Sequence, residues 1–321
     1  MCFLDASKAF DRVHHDLLFS KITERGIPHI IVRLLMYWYA TQTFVIRWGS
    51  VTSESFTVSN GVRQGSILSP TFFNVYIDCL SLELSQLKIG CMLNSTCINH
   101  LVYADDTVLL APSPTALQKL IDRCADFANR HGLIYNEIKT KYMCVKPSDC
   151  KHLRVPHVTL NDSPINTVHA EKYLGFMFSD NGLDNDHIVH EMRSTYARGG
   201  ILLRNFKHCS LEVKIKLYQT YCSSIYCCGL FSVFHKRVIQ KLRVAFNKIF
   251  KSLLCMSRRS SASNLFVSMN VDNFLVRRRK LTYSLFRRVS TSSNSLISCI
   301  FDSIYFNNCK LKNEWDSILY L

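Results

Sequence analysis

The chain has 321 residues, 48% of them hydrophobic, and a formal charge of +15; this excludes general disorder and allows a sizeable core, with two compact regions expected. The charge is uneven: through residue 150, 14 Lys and Arg face 13 Asp and Glu, whereas residues 201–290 hold 18 Lys and Arg against only Glu212 and Asp272. Such a basic region points to a polyanionic partner, and nucleic acid suits it better than an anionic membrane because no lipid-anchoring segment accompanies it.

In chain order, Cys2-Phe3-Leu4 reads as the end of a buried strand with Asp5 at its tip. Helical periodicity follows at His14–Arg25 and, after Gly26-Ile27-Pro28, at His29–Thr41. Thr43–Trp48 and Ser55–Val58 read as a hairpin around Gly49-Ser50, and the glycine-punctuated loop Asn60–Pro70 leads into a helix at Thr71–Leu87. Ile98–Tyr103 and Thr107–Ala111 are short apolar runs joined by a tight Ala104-Asp105-Asp106 turn. Pro114–His131 is an amphipathic helix, Val158–Val168 a hairpin about Asn161-Asp162, and Lys172–Phe178 an apolar strand. Beyond about Gly182 the chain turns predominantly helical, and the boundary between the two regions is placed there.

Strands alternating with helices, then helices alone, predict an α/β (α+β) layer followed by an α-helical module. The sheet is antiparallel at its centre, because three-residue connections cannot make parallel crossovers. The 14 cysteines contain no C-x-x-C pair and no secretory signal precedes them, so they read as reduced thiols in a protein that is not secreted. The most apolar long window, 218–234, is broken by Gln219, Thr220, Ser223, Ser224 and Ser232, too polar for a membrane span.

The chemistry centres on Asp5, Asp105 and Asp106. Adjacent carboxylates repel by about a few kcal/mol at 4 Å and an effective dielectric of 20. A divalent cation removes that repulsion, and Mg²⁺ is satisfied by a few carboxylates, waters and substrate phosphates. Two such ions about 3.5–4 Å apart activate an attacking hydroxyl and stabilise a leaving phosphate oxygen. Asp-Asp alone reads equally well as a polar hairpin turn.

The neighbouring segments decide between these readings. Phe3-Leu4-Asp5-Ala6-Ser7-Lys8-Ala9-Phe10-Asp11 resembles a D-x-x-K-A-F-D motif, and Gly61-Val62-Arg63-Gln64-Gly65-Ser66-Ile67-Leu68-Ser69-Pro70 with Asn74 resembles G-x-x-Q-G-x-x-x-S-P-x-x-x-N. Tyr103-Ala104-Asp105-Asp106 is similar to a catalytic hairpin. Gly132-Leu133, Asn136 and Lys139-Thr140 resemble G-L-x-x-N-x-x-K-T, and Tyr173-Leu174-Gly175 a primer-gripping hairpin. Together these five motifs, in order over Phe3–Phe178, resemble the reverse transcriptases of non-LTR (LINE-type) retrotransposons, with group II intron and telomerase-like enzymes as more distant relatives.

The resemblance implies a palm at 1–180, a helical basic thumb-like region at 181–290 and a C-terminal tail at 291–321. It implies RNA-directed DNA synthesis with two Mg²⁺ ions, Mn²⁺ being a substitute, held by Asp5, Asp105 and Asp106. The backbone amides of Lys8 and Ala9 would face the incoming deoxynucleoside triphosphate. Phe10 would exclude a ribose 2′-hydroxyl, its other reading being core packing. Gln64 and Gly65 would approach nucleotide and template, and Asn74 would support their loop. Lys139 would protonate departing pyrophosphate, with Lys141 a nearby rival, and Asp11 reads as structural. The implied partners are an RNA template and a DNA primer, with no membrane. The expected setting is intracellular, in nucleus or cytoplasm as a ribonucleoprotein.

In the basic region, Val238, Ile239, Leu242, Ala245, Phe246, Ile249, Phe250 and Leu253 follow helical spacing, with Arg237, Lys241, Lys248 and Lys251 away from that stripe. Arg258-Arg259, Arg277-Arg278-Arg279-Lys280 and Arg287-Arg288 extend the basic character, and the competing reading is a solvated charged face. Only four residues precede Asp5, whereas the fingers of such enzymes come largely from sequence before that aspartate. The chain is therefore expected to bind primer–template yet extend it poorly. A non-catalytic nucleic-acid-binding remnant is the alternative function, and a metal-dependent nuclease has no reason to carry the Gln64-Gly65 loop.

Overall fold

The computed structural model describes residues 1–145 and 156–320. Two compact units emerge, the first from Met1–Cys144 with 156–168 and the second from 169–320.

The first unit opens with strand β1 (Cys2–Asp5) and a single 3-10 turn at Ala9–Arg12, followed by helices α1 (His15–Glu24) and α2 (His29–Ala40). Strands β2 (Thr43–Phe44), β3 (Arg47–Trp48), β4 (Val51–Thr52) and β5 (Phe56–Thr57) precede α3 (Ser69–Gln86). The expected hairpin is therefore two nested pairs, β3 with β4 across Gly49-Ser50 and β2 with β5 outside them. Next come β6 (Cys91–Leu93), β7 (Thr96–Ile98), β8 (His100–Tyr103) and β9 (Asp106–Leu109), then α4 (Pro114–Arg130) and β10 (Lys141–Tyr142). Strands β11 (Thr159–Leu160), β12 (Ser163–Pro164) and β13 (Asn166–Thr167) complete the unit.

The main sheet has the order β13-β10-β1-β9-β8. Its centre is antiparallel, as the short connections require, and only the β10–β13 edge pair is parallel. Cys2, Phe3 and Leu4 are all buried because β1 has a neighbour on each side and a covered face. α4 shows how the layer is closed. Its Leu117, Leu120, Ile121, Cys124 and Phe127 recur at helical spacing and are buried, Ser113 accepts a hydrogen bond from the Ala116 N–H at 3.2 Å, and Pro114 stands in the first turn. These side chains join Leu4, Leu109, Phe73 and Tyr76 in one core.

In the second unit the expected single strand at Lys172–Phe178 is instead a hairpin, β14 (Ala170–Tyr173) and β15 (Phe176–Ser179), turning at Leu174-Gly175. Apolar content at 172–178 hid the turn from the strand pattern, whereas the resemblance at Tyr173-Leu174-Gly175 implied a hairpin. Helices α5 (Asn185–Asn205), α6 (Leu211–Leu217), α7 (Lys236–Leu253), α8 (Ala262–Ser268) and α9 (Phe274–Ser290) follow. α7 buries Leu242, Ala245, Phe246, Ile249, Phe250 and Leu253 of the predicted stripe, with Val238 and Ile239 only partly buried, and the Phe250 ring stacks on Phe266 with centroids 4.4 Å apart. The last residues form α10 (Ser295–Phe301), α11 (Ile304–Asn307) and α12 (Lys310–Leu319). α12 packs on α9, and its buried Trp315 donates a 2.6 Å hydrogen bond to the Gly229 carbonyl.

Candidate active site

β1 and β9 are direct antiparallel neighbours, and their register places Asp5 opposite Asp106. On the other side of β9, Asp106 pairs with Tyr103, leaving Ala104-Asp105 as a two-residue loop. Asp106 therefore belongs to the strand rather than to the turn expected from sequence. Ala104 is held at φ 53°, a left-handed conformation that a non-glycine residue adopts at a cost. Asp105 and Asp106 are exposed, and the Asp5 side chain is half-buried. Partial burial, reinforced by the charges of Asp105 and Asp5, holds the Asp106 carboxyl above its ordinary range. The three carboxylates are thus close enough to feel one another. Among the described residues no group of three His, Cys, Asp or Glu side chains is arranged ready to hold a metal ion.

The segment after α4 clamps Asp5 from its backbone side. The Asn136 N–H donates to the Asp5 carbonyl at 2.7 Å, and the Asp5 N–H donates to Thr140 Oγ1 at 3.4 Å. Asn136 Oδ1 accepts from the N–H groups of Ile138 and Lys139, folding the turn that carries Lys139. Lys139 Nζ lies 3.8 Å from Asp5 Oδ2, whereas Lys141 Nζ donates to the Ile138 carbonyl at 2.6 Å. Of the two rival lysines, only Lys139 reaches a carboxylate of the triad. The positioning by Asn136 and Thr140 was not evident from their identities, because it runs through backbone contacts between segments 135 residues apart.

After β1 the chain bends through Lys8, exposed at φ 51°, into the 3-10 turn that begins at buried Ala9. Phe10 is half-buried and stacks on Phe73 of α3, centroids 4.6 Å apart and planes 16° from parallel. Its backbone carbonyl accepts from the Val62 N–H at 2.8 Å, and Val13 accepts from Gly61 at 2.7 Å. Gln64 Nε2 then donates to Asp11 Oδ1 at 3.3 Å. The loop carrying Gln64 and Gly65 is thereby sewn to the segment carrying Lys8, Ala9 and Phe10, and Asp11 is the residue that holds Gln64. Asn74 lies exposed on α3, with no hydrogen bond to that loop among the described residues.

Residues 1–178 match the family described as reverse transcriptase (RNA-dependent DNA polymerase). The chain belongs to the reverse transcriptase family. It is 27% identical over 266 residues to an RNA-directed DNA polymerase from the mobile element jockey of Drosophila funebris, covering 78% of this chain and 28% of that protein. It is 31% identical over 185 residues to the Pol polyprotein of the R2DM retrotransposable element of Drosophila melanogaster, covering 56% of this chain and 17% of that protein. The chain thus spans less than a third of these non-LTR retrotransposon relatives. Among solved structures, telomerase from Candida albicans with a fragment of telomeric RNA aligns at 13% identity and a TM-score of 0.37, over 99% of this chain and 49% of that one, a likeness too weak to decide anything.

Reverse transcriptases generally use divalent metal ions, and the donor set suits a hard cation. Asp5, Asp105 and Asp106 offer oxygen ligands alone, with Asp106 already destabilised in its ionised form by partial burial and by the charges of Asp105 and Asp5. Among the described residues no helix is long and apolar enough to cross a membrane.

Proposed function

We propose that the chain is the polymerase segment of a non-LTR retrotransposon enzyme, joining a deoxynucleoside triphosphate to a DNA primer 3′-hydroxyl on an RNA template. The observation that carries this reading is the cross-strand pairing of Asp5 with Asp106, with Asp105 beside it in the loop. Asp5, Asp105 and Asp106 would hold two Mg²⁺ ions, which when bound lower the cost of the hydroxyl's attack and of the charge that develops on pyrophosphate. Lys139, whose Nζ lies 3.8 Å from Asp5 Oδ2, would give a proton to departing pyrophosphate. Phe10 would exclude a ribose 2′-hydroxyl, and the Gln64-Gly65 loop would meet the nucleotide and template. The palm would be the first unit, and the basic helices of the second would serve as thumb.

The test pairs Mn²⁺ binding, read by electron paramagnetic resonance, with extension of a DNA primer on RNA by wild type and Asp106→Asn. Mn²⁺ binding is expected to weaken in the variant. Any Mg²⁺-dependent extension is expected to fall by on the order of 100-fold, the scale of a 1 Å misplacement of reacting groups. Unchanged Mn²⁺ binding, or undiminished extension, overturns the assignment.

A further inference from the structure

α2 is apolar on every side, the composition of a helix with neighbours all round it. One side has them: Val32 and Tyr39 are buried, and Leu35 packs against the core of the first unit. The opposite side lies open. Ile27, just before the helix, and Ile30, Ile31, Leu34, Tyr37 and Trp38 recur at the three- and four-residue steps of a heptad seam. All six are exposed, Ile30 by 74%, Leu34 by 66% and Tyr37 by 69%. Together they leave on the order of several hundred Å² of apolar surface, the scale at which a patch marks an interaction site.

The charges around the seam select its occupant. Arg33 stands at the seam's edge, exposed and without a hydrogen-bond or ion-pair partner among the described residues. Residues 27–41 contain no Asp or Glu, and no side chain caps the N-terminus of α2. The guanidinium and the positive end of the helix dipole therefore both lack a counter-charge. A second copy of this face brings another Arg33 and no carboxylate. A lipid surface takes helices whose polar face is rich in Lys and Arg, whereas the far side of α2 is buried core. Nucleic acid needs cations along its phosphates, and four of the six seam residues are aliphatic. We propose that the seam docks an amphipathic helix of a partner protein, with apolar residues at its own a and d positions and Glu or Asp beside them to meet Arg33. Such a helix supplies both what covers the apolar stripe and the charge that α2 lacks. The proposal stands apart from the polymerase reading, since none of these residues belongs to the motifs around Asp5, Asp105 and Asp106.

The experiment measures fluorescence anisotropy of the 321-residue chain with a labelled peptide of about three heptads, Leu at a and d and Glu at e and g, whose like charges keep it from pairing with itself. A second peptide carries Lys in place of Glu. Wild type is expected to prefer the Glu peptide. The basic second unit also attracts that peptide, so the deciding variant is Leu34→Ser, which leaves the charge of the chain unchanged. It is expected to weaken binding by at least about tenfold, the scale of one buried leucine. Arg33→Glu is expected to lower the Glu-over-Lys preference by about fivefold. Both side chains are exposed, and the thermal midpoints of the variants should match wild type. A photo-reactive leucine at a central d position of the Glu peptide reads the site without any variant, with adducts on wild type expected within 27–41. Undiminished binding by Leu34→Ser, an unchanged preference in Arg33→Glu, or adducts confined elsewhere overturns the proposal. So does a wild-type dimer in sedimentation velocity that Leu34→Ser dissociates, which assigns the seam to a second copy. Flotation with phosphatidylserine vesicles that Leu34→Ser abolishes overturns it in favour of lipid.

Discussion

Asp106 carries the clearest electrostatic signature at the residue scale. Its raised carboxyl pKa means that the folded chain holds this proton more tightly than the unfolded chain does. Stability is then unaffected below the ordinary carboxylate range and declines as pH rises from there through the raised folded value, above which the ionised group is a standing cost. Asp106→Asn removes that cost. In EDTA its thermal midpoint is expected to exceed that of wild type at pH 7, with the gap closing below about pH 3, where Asp is protonated in both states. A midpoint at or below wild type at pH 7 would mean that the carboxylate is held by favourable contacts instead. Phe10 poses a different question, because its stack on Phe73 is a genuine packing contact. Phe10→Val is expected to cost roughly 1–3 kcal/mol of stability and also to lower the ratio of kcat/KM for deoxynucleotide over ribonucleotide. Lost stability with an unchanged ratio reduces Phe10 to core packing. The three aspartates were legible only through the motifs around them, because Asp-Asp alone reads equally well as a polar turn. Asn136 and Thr140 were legible only as a resemblance, since their contacts with Asp5 are made through its backbone.

Periodicity located the elements well where one face is buried, as in α4 and α7, whose apolar spacing matches their buried residues. It failed where a turn interrupts an apolar run without glycine-proline punctuation. The β6–β7 hairpin turns at Asn94-Ser95 inside a stretch with little alternation, and β8 begins only after Asn99, which is buried and donates to the Leu84 carbonyl. The loop after β5 shows how glycines act unequally within one motif. Gly61 sits at φ +91°, and a Cβ there would come within 2.9 Å of the Asp11 backbone, which cannot step aside. Gly65 sits at φ +84° with nothing within 4 Å of its would-be Cβ. Gly65→Ala should therefore cost only the conformational penalty of about 1–2 kcal/mol. Gly61→Ala should cost more, since it also pushes the loop off the segment bearing Phe10 and Asp11. Urea denaturation of the two variants gives the comparison, and equal losses would show that the close approach at Gly61 relaxes freely.

At the scale of the whole molecule, sequence located the charge but not which of its cations are held internally. The run Arg277-Arg278-Arg279-Lys280 extends the basic character in sequence, yet in α9 it is largely committed internally. Arg277 donates to the Ser223 carbonyl, buried Arg278 pairs with Glu314 at 2.9 Å, Arg279 donates to the Ile318 carbonyl, and Lys280 pairs with Asp272 at 2.7 Å. The partners come from residues up to 54 positions away, which no local reading of charge would find.

The solvent face of α7 is the opposite case. Arg237 and Lys241 are exposed and have no hydrogen-bond or ion-pair partner among the described residues, and exposed Lys248 rests over the Tyr196 ring at 5.6 Å. Lys251 is partly spent on the Arg258 carbonyl at 3.1 Å. Cations without internal partners can release counterions from phosphates, and each phosphate neutralised contributes about 0.9 to the slope of log K against log salt on duplex DNA. Binding of the chain to an RNA–DNA hybrid is therefore expected to weaken steeply with salt. Lys241→Ala and Lys248→Ala should each flatten the slope by about one and leave the thermal midpoint in place. Arg278→Ala should do the reverse, lowering the midpoint by leaving Glu314 unpaired in a partly buried setting while scarcely changing the slope. The decisive comparison is the two quantities in the same three variants. If Arg278→Ala flattens the slope with an unchanged midpoint, or the α7 lysines leave it untouched, the cations that meet nucleic acid lie on α9 after all, and the internal bonds of that helix give way when the strand arrives.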